Sequence, residues 1–259
     1  METMNSTAPG KTSAGNNPIV SREEWISARK ALLIREKEIT RMKDQLAADL
    51  RTMPWVRVDK VYTFDGPYGP ETLGDLFDGR SQLIVQHFMF APGWKEGCVG
   101  CSFGADHVDG ARQHFEHHNV SFAAVSRAPI NDLQAFRKRM GWGFKWVSSN
   151  RNDFNFDYHV SFRPEDAVDG KVHYNYQTID AGEEELPGLS VFVKDAQGNI
   201  YHTYSAYMRG TEFMSSTFSF LDITPAGRNE NGPNFGLTDW VKHHDKYDNN
   251  VSGKSSCCH

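Results

Sequence analysis

The chain has 259 residues, of which 39% are hydrophobic and 12% aromatic, enough for one large domain with attached segments. Its formal net charge of −5 and its pI of about 6.1 argue against nucleic acid as the main partner. No run approaches the ~20 apolar residues that a membrane span needs, and the polar N-terminus lacks the apolar core of a secretory signal. We therefore expect a cytoplasmic protein that contacts no membrane.

The four cysteines form two pairs, Cys98 with Cys101 and Cys257 with Cys258. Four cysteines in a chain of this length do not make a disulfide scaffold. In a reducing compartment, a CxxC motif more often indicates redox chemistry or metal binding than a structural disulfide. The meaning of Cys98 and Cys101 therefore depends on the elements around them.

The N-terminal part of the sequence predicts a disordered leader, residues 1–17, and then one long amphipathic helix within residues 18–53. Ser21 and Glu24 have the spacing of a capping box, and Pro54 ends the helix. The apolar residues of its stripe are Trp25, Leu32, Leu33, Ile39, Met42 and Leu46. This stripe packs either on the domain or on a second copy of the chain, which would form a homodimer.

Strand-like and helix-like segments alternate from residue 54 to residue 248. The apolar runs at residues 82–90 and 120–128 predict buried strands, and residues 144–149 predict a short strand. Residues 101–118 and 130–141 between them predict helices. This alternation is typical of an α/β fold with a parallel core and right-handed crossovers. Residues 150–185 form an aromatic-rich insertion, residues 188–207 predict a hairpin, and a further helix begins near Thr211. The last residues, 249–259, predict a flexible tail that carries the Cys-Cys pair.

Cys98 follows the first buried strand and opens the predicted helix. Unpaired backbone N–H groups and the helix dipole stabilise a thiolate at such a position, and CxxC cysteines at helix starts can have pKa values of roughly 3.5–7.5. Cys98 is therefore the candidate nucleophile. Cys101, one turn further along, is placed to attack the mixed disulfide and release the product.

The motifs that carry a family resemblance extend over about residues 18–248. They include "HFMFAPGWKEGCVGCSFGADHVDG", "VSFAAVSRAPINDLQAFRKRMGWGFKWVSS" and "PGLSVFVKD". The chain resembles a large family of thioredoxin-like proteins that is known chiefly as a domain of unknown function and described as predicted dithiol–disulfide oxidoreductases. The resemblance implies a thioredoxin-like fold with a central mixed sheet flanked by helices, and Cys98 and Cys101 as the redox pair. It also implies that Pro187 is the proline that faces the dithiol, which is cis in thioredoxin-type folds and lies where the neighbouring backbone binds substrate. Judged by its local sequence alone, Pro187 could equally be an ordinary loop proline.

Two further residues are candidate substrate contacts. Trp94 lies in the loop before Cys98, where thioredoxin-type sites often have an aromatic residue, and would otherwise cap the core. Arg127 follows the second buried strand at its carboxyl end, the edge where α/β folds bind ligands. It would either orient an anionic substrate or pair with a surface acid. The aromatic insertion would wall a pocket for a small organic molecule or serve as side-wall core.

Histidines leave a metal-dependent function open. His87 lies in the strand that leads to the CxxC, and His202 lies in the hairpin after Pro187, so either could join Cys98 and Cys101 in a copper or zinc site. Copper chaperones include thioredoxin-like domains that hold copper with two cysteines and a distant histidine. The sequence contains no phosphate loop or GxGxxG motif, so we expect no nucleotide cofactor, and reducing power from an external thiol.

The sequence therefore predicts a thiol–disulfide oxidoreductase with no required cofactor, which uses Cys98 as nucleophile and Cys101 as resolving cysteine on a disulfide or small-molecule substrate. The first alternative is a copper-dependent enzyme or metal-binding protein built on Cys98, Cys101 and a histidine. The second is a non-catalytic domain that keeps the fold and binds a partner through its aromatic insertion.

Overall fold

The structure is a computed structural model that describes residues 17–228, 230 and 240–247. Cys257 and Cys258, and nearly all of the predicted leader, lie outside the described residues. The chain divides into two units. The first, Met1–Met53 with Thr217–Asn229, contains the long N-terminal helix, and the second, Pro54–Ser216 with Glu230–His259, contains the sheet and the CxxC.

Six α-helices and ten strands lie within these described ranges. The helices are α1 Arg22–Leu50, α2 Val99–Ala105, α3 Val108–His117, α4 Ile130–Met140, α5 Phe154–Asp157 and α6 Ser216–Asp222. The strands are β1 Val56–Arg57, β2 Thr63–Gly66, β3 Gly69–Thr72, β4 Gln82–His87, β5 Val120–Ser126, β6 Lys145–Ser148, β7 Lys171–Tyr174, β8 Gln177–Asp180, β9 Gly188–Lys194 and β10 Ile200–Tyr207.

The helix α1 begins at the predicted capping box. The backbone N–H of Glu24 donates to Ser21 Oγ at 3.2 Å, and the backbone N–H of Ser21 donates to Glu24 Oε2 at 2.9 Å, so two of the N–H groups that a helix start leaves unpaired are satisfied. No residue of α1 is buried. Its apolar stripe therefore remains exposed in this chain.

The second unit is built on a mixed sheet with the strand order β1-β10-β9-β4-β5-β6-β2-β3. Strands β4, β5 and β6 are parallel, whereas β9 is antiparallel to β4 and β10 is antiparallel to β9. The connection from β4 to β5 contains α2 and α3, and the connection from β5 to β6 contains α4. A strand–helix–strand unit flanked by a hairpin on β4 is the core of the thioredoxin-like fold. The predicted α/β, thioredoxin-like fold class is confirmed.

Successive side chains of β4 point to opposite faces of the sheet, and each face is covered by its own hydrophobic core. Ile84 packs against the first core, which contains Phe88, Trp146 and Cys101. Leu83 and Val85 belong to the second core. The remaining large members of the second core include Phe64, Phe77, Phe154 and Phe192. A side chain's face is therefore set by whether its position along the strand is odd or even.

Two predicted helices differ from the observed elements. Residues 101–118 form α2 and α3 with a break at Asp106 and His107, where His107 N–H bonds Gly104 O at 3.2 Å, one residue short of α-helical spacing. The helix predicted from Thr211 is instead a 3-10 segment, Met208–Met214, followed by α6. Met208 has a left-handed φ of 48°, so the chain enters this segment in a conformation that an α-helix cannot continue.

Candidate dithiol site

The loop after β4 delivers the CxxC to the start of α2. Cys98 is the N-cap residue of α2, and its backbone N–H donates to Met89 O at 3.0 Å. Gly97 packs so closely that a Cβ at this position would lie 2.6 Å from Phe88 Cε1. Only glycine lets the loop approach the first core here, so the position of Cys98 depends on it.

The two cysteines are free thiols with unequal surroundings. Cys98 is half-buried, and its sulfur accepts a hydrogen bond from the backbone N–H of Cys101, with N and Sγ 3.5 Å apart. Hydrogen bonding by the Cys101 thiol, assisted by the backbone N–H groups of Cys101 and Gly100, lowers the pKa of Cys98 against the opposing effect of burial. Cys98 is therefore the sulfur that ionises first.

Cys101 is buried, with 6% of its surface exposed. Its hydrogen bond to Cys98, burial and the charges of Cys98 and Glu185 raise the pKa of the Cys101 thiol well above its ordinary value, and a backbone hydrogen bond from Met89 acts in the opposite direction. Gln86 Nε2 donates to Cys101 O at 3.1 Å and fixes the first turn of α2 on β4. Cys101 thus stays protonated where Cys98 ionises.

Glu185 is a buried carboxyl whose charge acts on Cys101, and sequence reasoning did not single it out. Its side chain is 1% exposed, accepts a hydrogen bond from Ser161 Oγ at 2.9 Å and forms an ion pair with Arg127 Nε. Burial raises the pKa of Glu185 to about 7, although Arg127 and Ser161 both act to lower it. The only sequence signal is its position two residues before Pro187, inside an acidic run that looks like a surface loop.

Trp94 and Arg127 are joined through one carboxylate. Trp94 Nε1 donates to Glu184 Oε1 at 3.0 Å, and Arg127 Nη2 donates to Glu184 Oε2 at 3.2 Å. Arg127 also pairs with Glu185 and lies over the ring of Phe156, 5.1 Å from its centroid. Both predicted substrate residues therefore lie in one network beside the CxxC loop. The sequence predicts two roles for Arg127, orienting an anionic substrate or pairing with an acid, and its contacts match the second.

Pro187 lies directly before β9, whose first residue, Gly188, pairs with His87 at the end of β4. Its carbonyl accepts a hydrogen bond from the hydroxyl of Tyr174 at 2.5 Å. The predicted cis-proline is wrong, because every peptide bond in the described ranges is trans. The sequence could not decide the isomer, since an X–Pro bond prefers trans by only about 0.5–1 kcal/mol and the surrounding structure selects.

His87 and His202 do not join the dithiol. Both rings pack with the second core: His87 stacks on Tyr158 at 5.6 Å between centroids, and His202 lies 5.5 Å from Phe192. Cys98 and Cys101 belong to the first core, on the other face of the sheet. Among the described residues, no group of three His, Cys, Asp or Glu side chains is arranged to hold a metal ion. The predicted copper or zinc set of Cys98, Cys101 and either histidine is therefore not assembled.

A C-terminal segment, residues 240–247, holds the loop before Cys98. His243 is 3% exposed, and its Nε2 lies 2.9 Å from Gly97 O. Lys246 Nζ donates to Glu96 Oε2 at 2.6 Å, and Arg139 Nη1 bonds the other oxygen of Glu96. Nothing in the local sequence of this segment indicates the contact, because it joins residues about 150 positions apart.

The sequence matches a known protein family. A family described as "Bacterial protein of unknown function (DUF899)" matches residues 14–247. The chain belongs to this family. No curated protein matches the chain. The predicted resemblance to a thioredoxin-like domain of unknown function is thus confirmed at the level of family and fold.

Solved structures to which the chain is similar include a peroxidoxin, a peroxiredoxin and a hypothetical protein. Peroxidoxin BcpB from Mycobacterium tuberculosis is 15% identical, with 64% of this chain and 89% of that chain covered and a TM-score of 0.41. Peroxiredoxin Q from Xanthomonas campestris is 12% identical over 62% and 89%, also with a TM-score of 0.41. A hypothetical protein from Sinorhizobium meliloti is 12% identical over 58% and 69%, with a TM-score of 0.36. Similarities this low do not transfer an activity.

None of the helices in the described part of the chain combines the length and apolar character that crossing a membrane requires.

Proposed function

We propose that the protein is a thiol–disulfide oxidoreductase in which Cys98 is the nucleophile and Cys101 the resolving cysteine. The observation that supports this proposal is the inequality of two neighbouring thiols. Cys98 is half-buried, receives N–H donors and has a lowered pKa, whereas Cys101 is buried and has a raised pKa. A thiolate is the reactive form of cysteine, so Cys98 is suited to attack the substrate and Cys101 to resolve the mixed disulfide afterwards.

The backbone N–H groups next to Cys98 stabilise its thiolate more than the dipole of a long helix does. The helix α2 has only seven residues, and the direct contact to Cys98 Sγ comes from the backbone N–H of Cys101. The predicted thiolate stabilisation at a helix start therefore takes a more local form, because partial charges on the first N–H groups act at hydrogen-bond distance.

The reaction proceeds in two exchanges. The Cys98 thiolate attacks one sulfur of a substrate disulfide, forms a mixed disulfide and releases the other half of the substrate as a thiolate. Cys101 then loses its proton and attacks Cys98 Sγ, which releases the second half of the substrate and leaves a Cys98–Cys101 disulfide. An external thiol reductant supplies the two electrons that restore the dithiol.

Glu185 accepts the proton that Cys101 must lose in the second exchange. Once Cys98 is in a mixed disulfide it can no longer act as a base for its neighbour. Glu185 is then the buried ionisable group whose charge acts on Cys101, and its pKa near 7 suits proton transfer at neutral pH. Arg127 and Ser161 hold the carboxyl in place.

The substrate and the partners belong to the proposal as well. The substrate is a small-molecule or protein disulfide that enters past Trp94 and Pro187, the reductant is an external thiol, and neither nucleic acid nor a membrane is needed. No cofactor enters either exchange.

Turnover of a model disulfide with a thiol donor tests the proposal. The Cys98→Ser variant should lose activity altogether, and Cys101→Ser should accumulate the mixed disulfide on Cys98, which mass spectrometry of the intact chain detects. Gln113→Ala, on the exposed surface of α3, is the control and should retain activity. Unchanged turnover in Cys98→Ser would overturn the assignment, and cysteines unreactive to alkylation in the native protein would favour a non-catalytic binding domain.

A further inference from the structure

A second site lies under the hairpin formed by β7 and β8. It is an open pocket with a volume of about 250 Å³. Tyr158, His202 and Tyr207 form its buried or half-buried floor, and His159, His173 and Tyr176 form its exposed rim. The hairpin tip is tied to β10, because the hydroxyl of Tyr176 donates to Ser205 O at 3.0 Å.

The backbone around this pocket is held in an unfavourable conformation. His159, Asn175 and Tyr176 have φ values of 54°, 51° and 61°, in the left-handed region that non-glycine residues seldom occupy. Asn175 and Tyr176 form the two-residue turn of the hairpin, where asparagine is common but tyrosine is not. Such strain persists only where the surrounding contacts maintain it, and it concentrates at functional sites.

The charges around the pocket favour an uncharged ligand. Asp157 is the one carboxylate among the lining residues that the structure describes, and its Oδ2 already accepts from Lys60 Nζ at 2.6 Å and from the hydroxyl of Tyr62 at 2.7 Å. Burial lowers the pKa of His202 and of His159, so these imidazoles stay neutral at pH 7. An anionic ligand would therefore find no charged imidazole at His202 or His159, and a cationic ligand would find Asp157 already paired.

The imidazole of His202, on the floor of the pocket, offers a hydrogen-bond acceptor. His202 Nε2 lies 2.9 Å from Tyr204 O and 2.7 Å from Ser205 Oγ. A backbone carbonyl only accepts, so Nε2 carries the hydrogen and Nδ1 of the neutral ring is the acceptor. Within the described ranges Nδ1 has no hydrogen-bond partner.

A buried chain of hydroxyls links His202 Nε2 to His87. Ser205 Oγ lies 2.8 Å from Ser190 Oγ, which lies 2.8 Å from His87 Nε2. Because His202 Nε2 donates to Ser205, the Ser205 hydroxyl is free to donate to Ser190 and the Ser190 hydroxyl to His87. All three inner groups are buried, so solvent does not compete for these bonds.

From this geometry we propose that the pocket binds a small, uncharged aromatic molecule that carries a hydroxyl or N–H group, whose hydrogen His202 Nδ1 accepts. The rings of Tyr158, Tyr207 and Tyr176 supply flat apolar contacts for such a molecule, and the volume suits a single substituted ring. The proposal is independent of the dithiol, because His202 packs with the second core and Cys98 with the first.

Calorimetric titration of the full-length chain with two matched probes tests this proposal. The probe 4-methylphenol can donate a hydrogen bond, and 4-methoxytoluene has nearly the same shape but cannot. The phenol should bind about fivefold to tenfold more tightly, the factor expected for one net hydrogen bond. His202→Phe should remove this difference, whereas His117→Phe, on the exposed surface of α3, and Cys98→Ser should both preserve it.

Several outcomes would overturn the proposal: equal affinities of the two probes for the unaltered chain, no binding of either up to millimolar concentration, or tighter binding of the anion 4-methylbenzoate. The wild-type comparison decides even where His202→Phe fails to fold. A long-range ¹H–¹⁵N spectrum of the imidazoles adds an independent reading, because it should show hydrogen on Nε2 of His202, and hydrogen on Nδ1 contradicts the acceptor role. A redox failure in Cys98→Ser leaves all of these readings unaffected.

Discussion

Only three peptide bonds separate Cys98 from Cys101, yet the surroundings of the two side chains differ. One sulfur is half-buried at the first turn of α2 and receives backbone N–H donors, and the other is enclosed by the first core, where the charge of Glu185 acts on it. The same side chain thus acquires two different proton affinities. At this scale the role of each side chain can be tested by a single substitution.

The reactivity of Cys98 should depend on the Cys101 thiol. Hydrogen bonding from Cys101 is the largest cause of the lowered pKa of Cys98, so Cys101→Ala should raise that pKa toward the ordinary thiol value of ~8.5. The rate of alkylation of Cys98 between pH 5 and pH 10 measures the pKa. Gln113→Ala, on the exposed surface of α3, serves as the control, and an unchanged midpoint in Cys101→Ala would contradict the hydrogen-bond explanation.

Glu185→Gln should slow the resolving step without preventing the first attack. The amide keeps the shape and the contact to Ser161 but cannot accept a proton, so mixed disulfide should accumulate and turnover should fall by roughly 10²-fold, the lower range for general-base catalysis. Quenched-flow mass spectrometry separates the two steps. Glu183→Gln changes an exposed neighbour and should behave as wild type. Equal slowing of both steps in Glu185→Gln would indicate a structural role instead.

At the scale of single elements, α1 is a long helix without a buried residue. It spans 29 residues, or about 44 Å, and none of them is buried. Trp25, Leu32, Ile39 and Leu46 recur at intervals of seven and are 49–59% exposed. A seven-residue repeat keeps one apolar seam facing a partner helix when the two supercoil.

We propose that α1 pairs with α1 of a second copy of the chain, one of the two alternatives that the sequence leaves open for its apolar stripe. Light scattering should then give twice the chain mass of 29.3 kDa. Replacing Leu32 and Leu46 by Asp should yield the monomer, because buried unpaired carboxylates in the seam oppose association. Lys37→Asp, away from the seam, should leave the dimer intact. A monomeric wild type at micromolar concentration would refute the pairing.

At the scale of the whole molecule, the free energy of unfolding should depend on pH through the imidazole of His87. Burial, with a smaller contribution from His202, lowers the pKa of His87 to about 3. In the unfolded chain the imidazole titrates near ~6.5, so the unfolded state binds more protons between these values. The contribution of the neutral, buried imidazole to the free energy of unfolding is therefore complete above pH ~6.5. It is lost as the pH falls toward 3, at up to ~1.4 kcal/mol per pH unit.

Chemical denaturation between pH 7 and pH 4 measures this slope. His87→Leu should flatten it whatever the change in stability at neutral pH, because leucine has no proton to bind. His117→Leu, on the exposed face of α3, is the matched control and should leave the slope as in the wild type. An identical slope in His87→Leu would show that other groups carry the acid sensitivity.

The sequence by itself determined the elements whose signals are local. The capping box at Ser21, the buried runs that became β4 and β5, and the placement of Cys98 at a helix start follow from residue periodicity and from hydrogen bonds between near neighbours. These are set within a few residues, so the pattern along the chain contains them.

Only the tertiary structure decided which side chains share a face or a pocket. It moved His87 and His202 away from the dithiol, brought Glu185 toward Cys101, and placed His243 on the CxxC loop. Strand alternation turns neighbouring residues to opposite faces, and non-local pairing joins residues up to about 150 positions apart. Such contacts arise from the register and packing of distant elements, which no short stretch of sequence specifies.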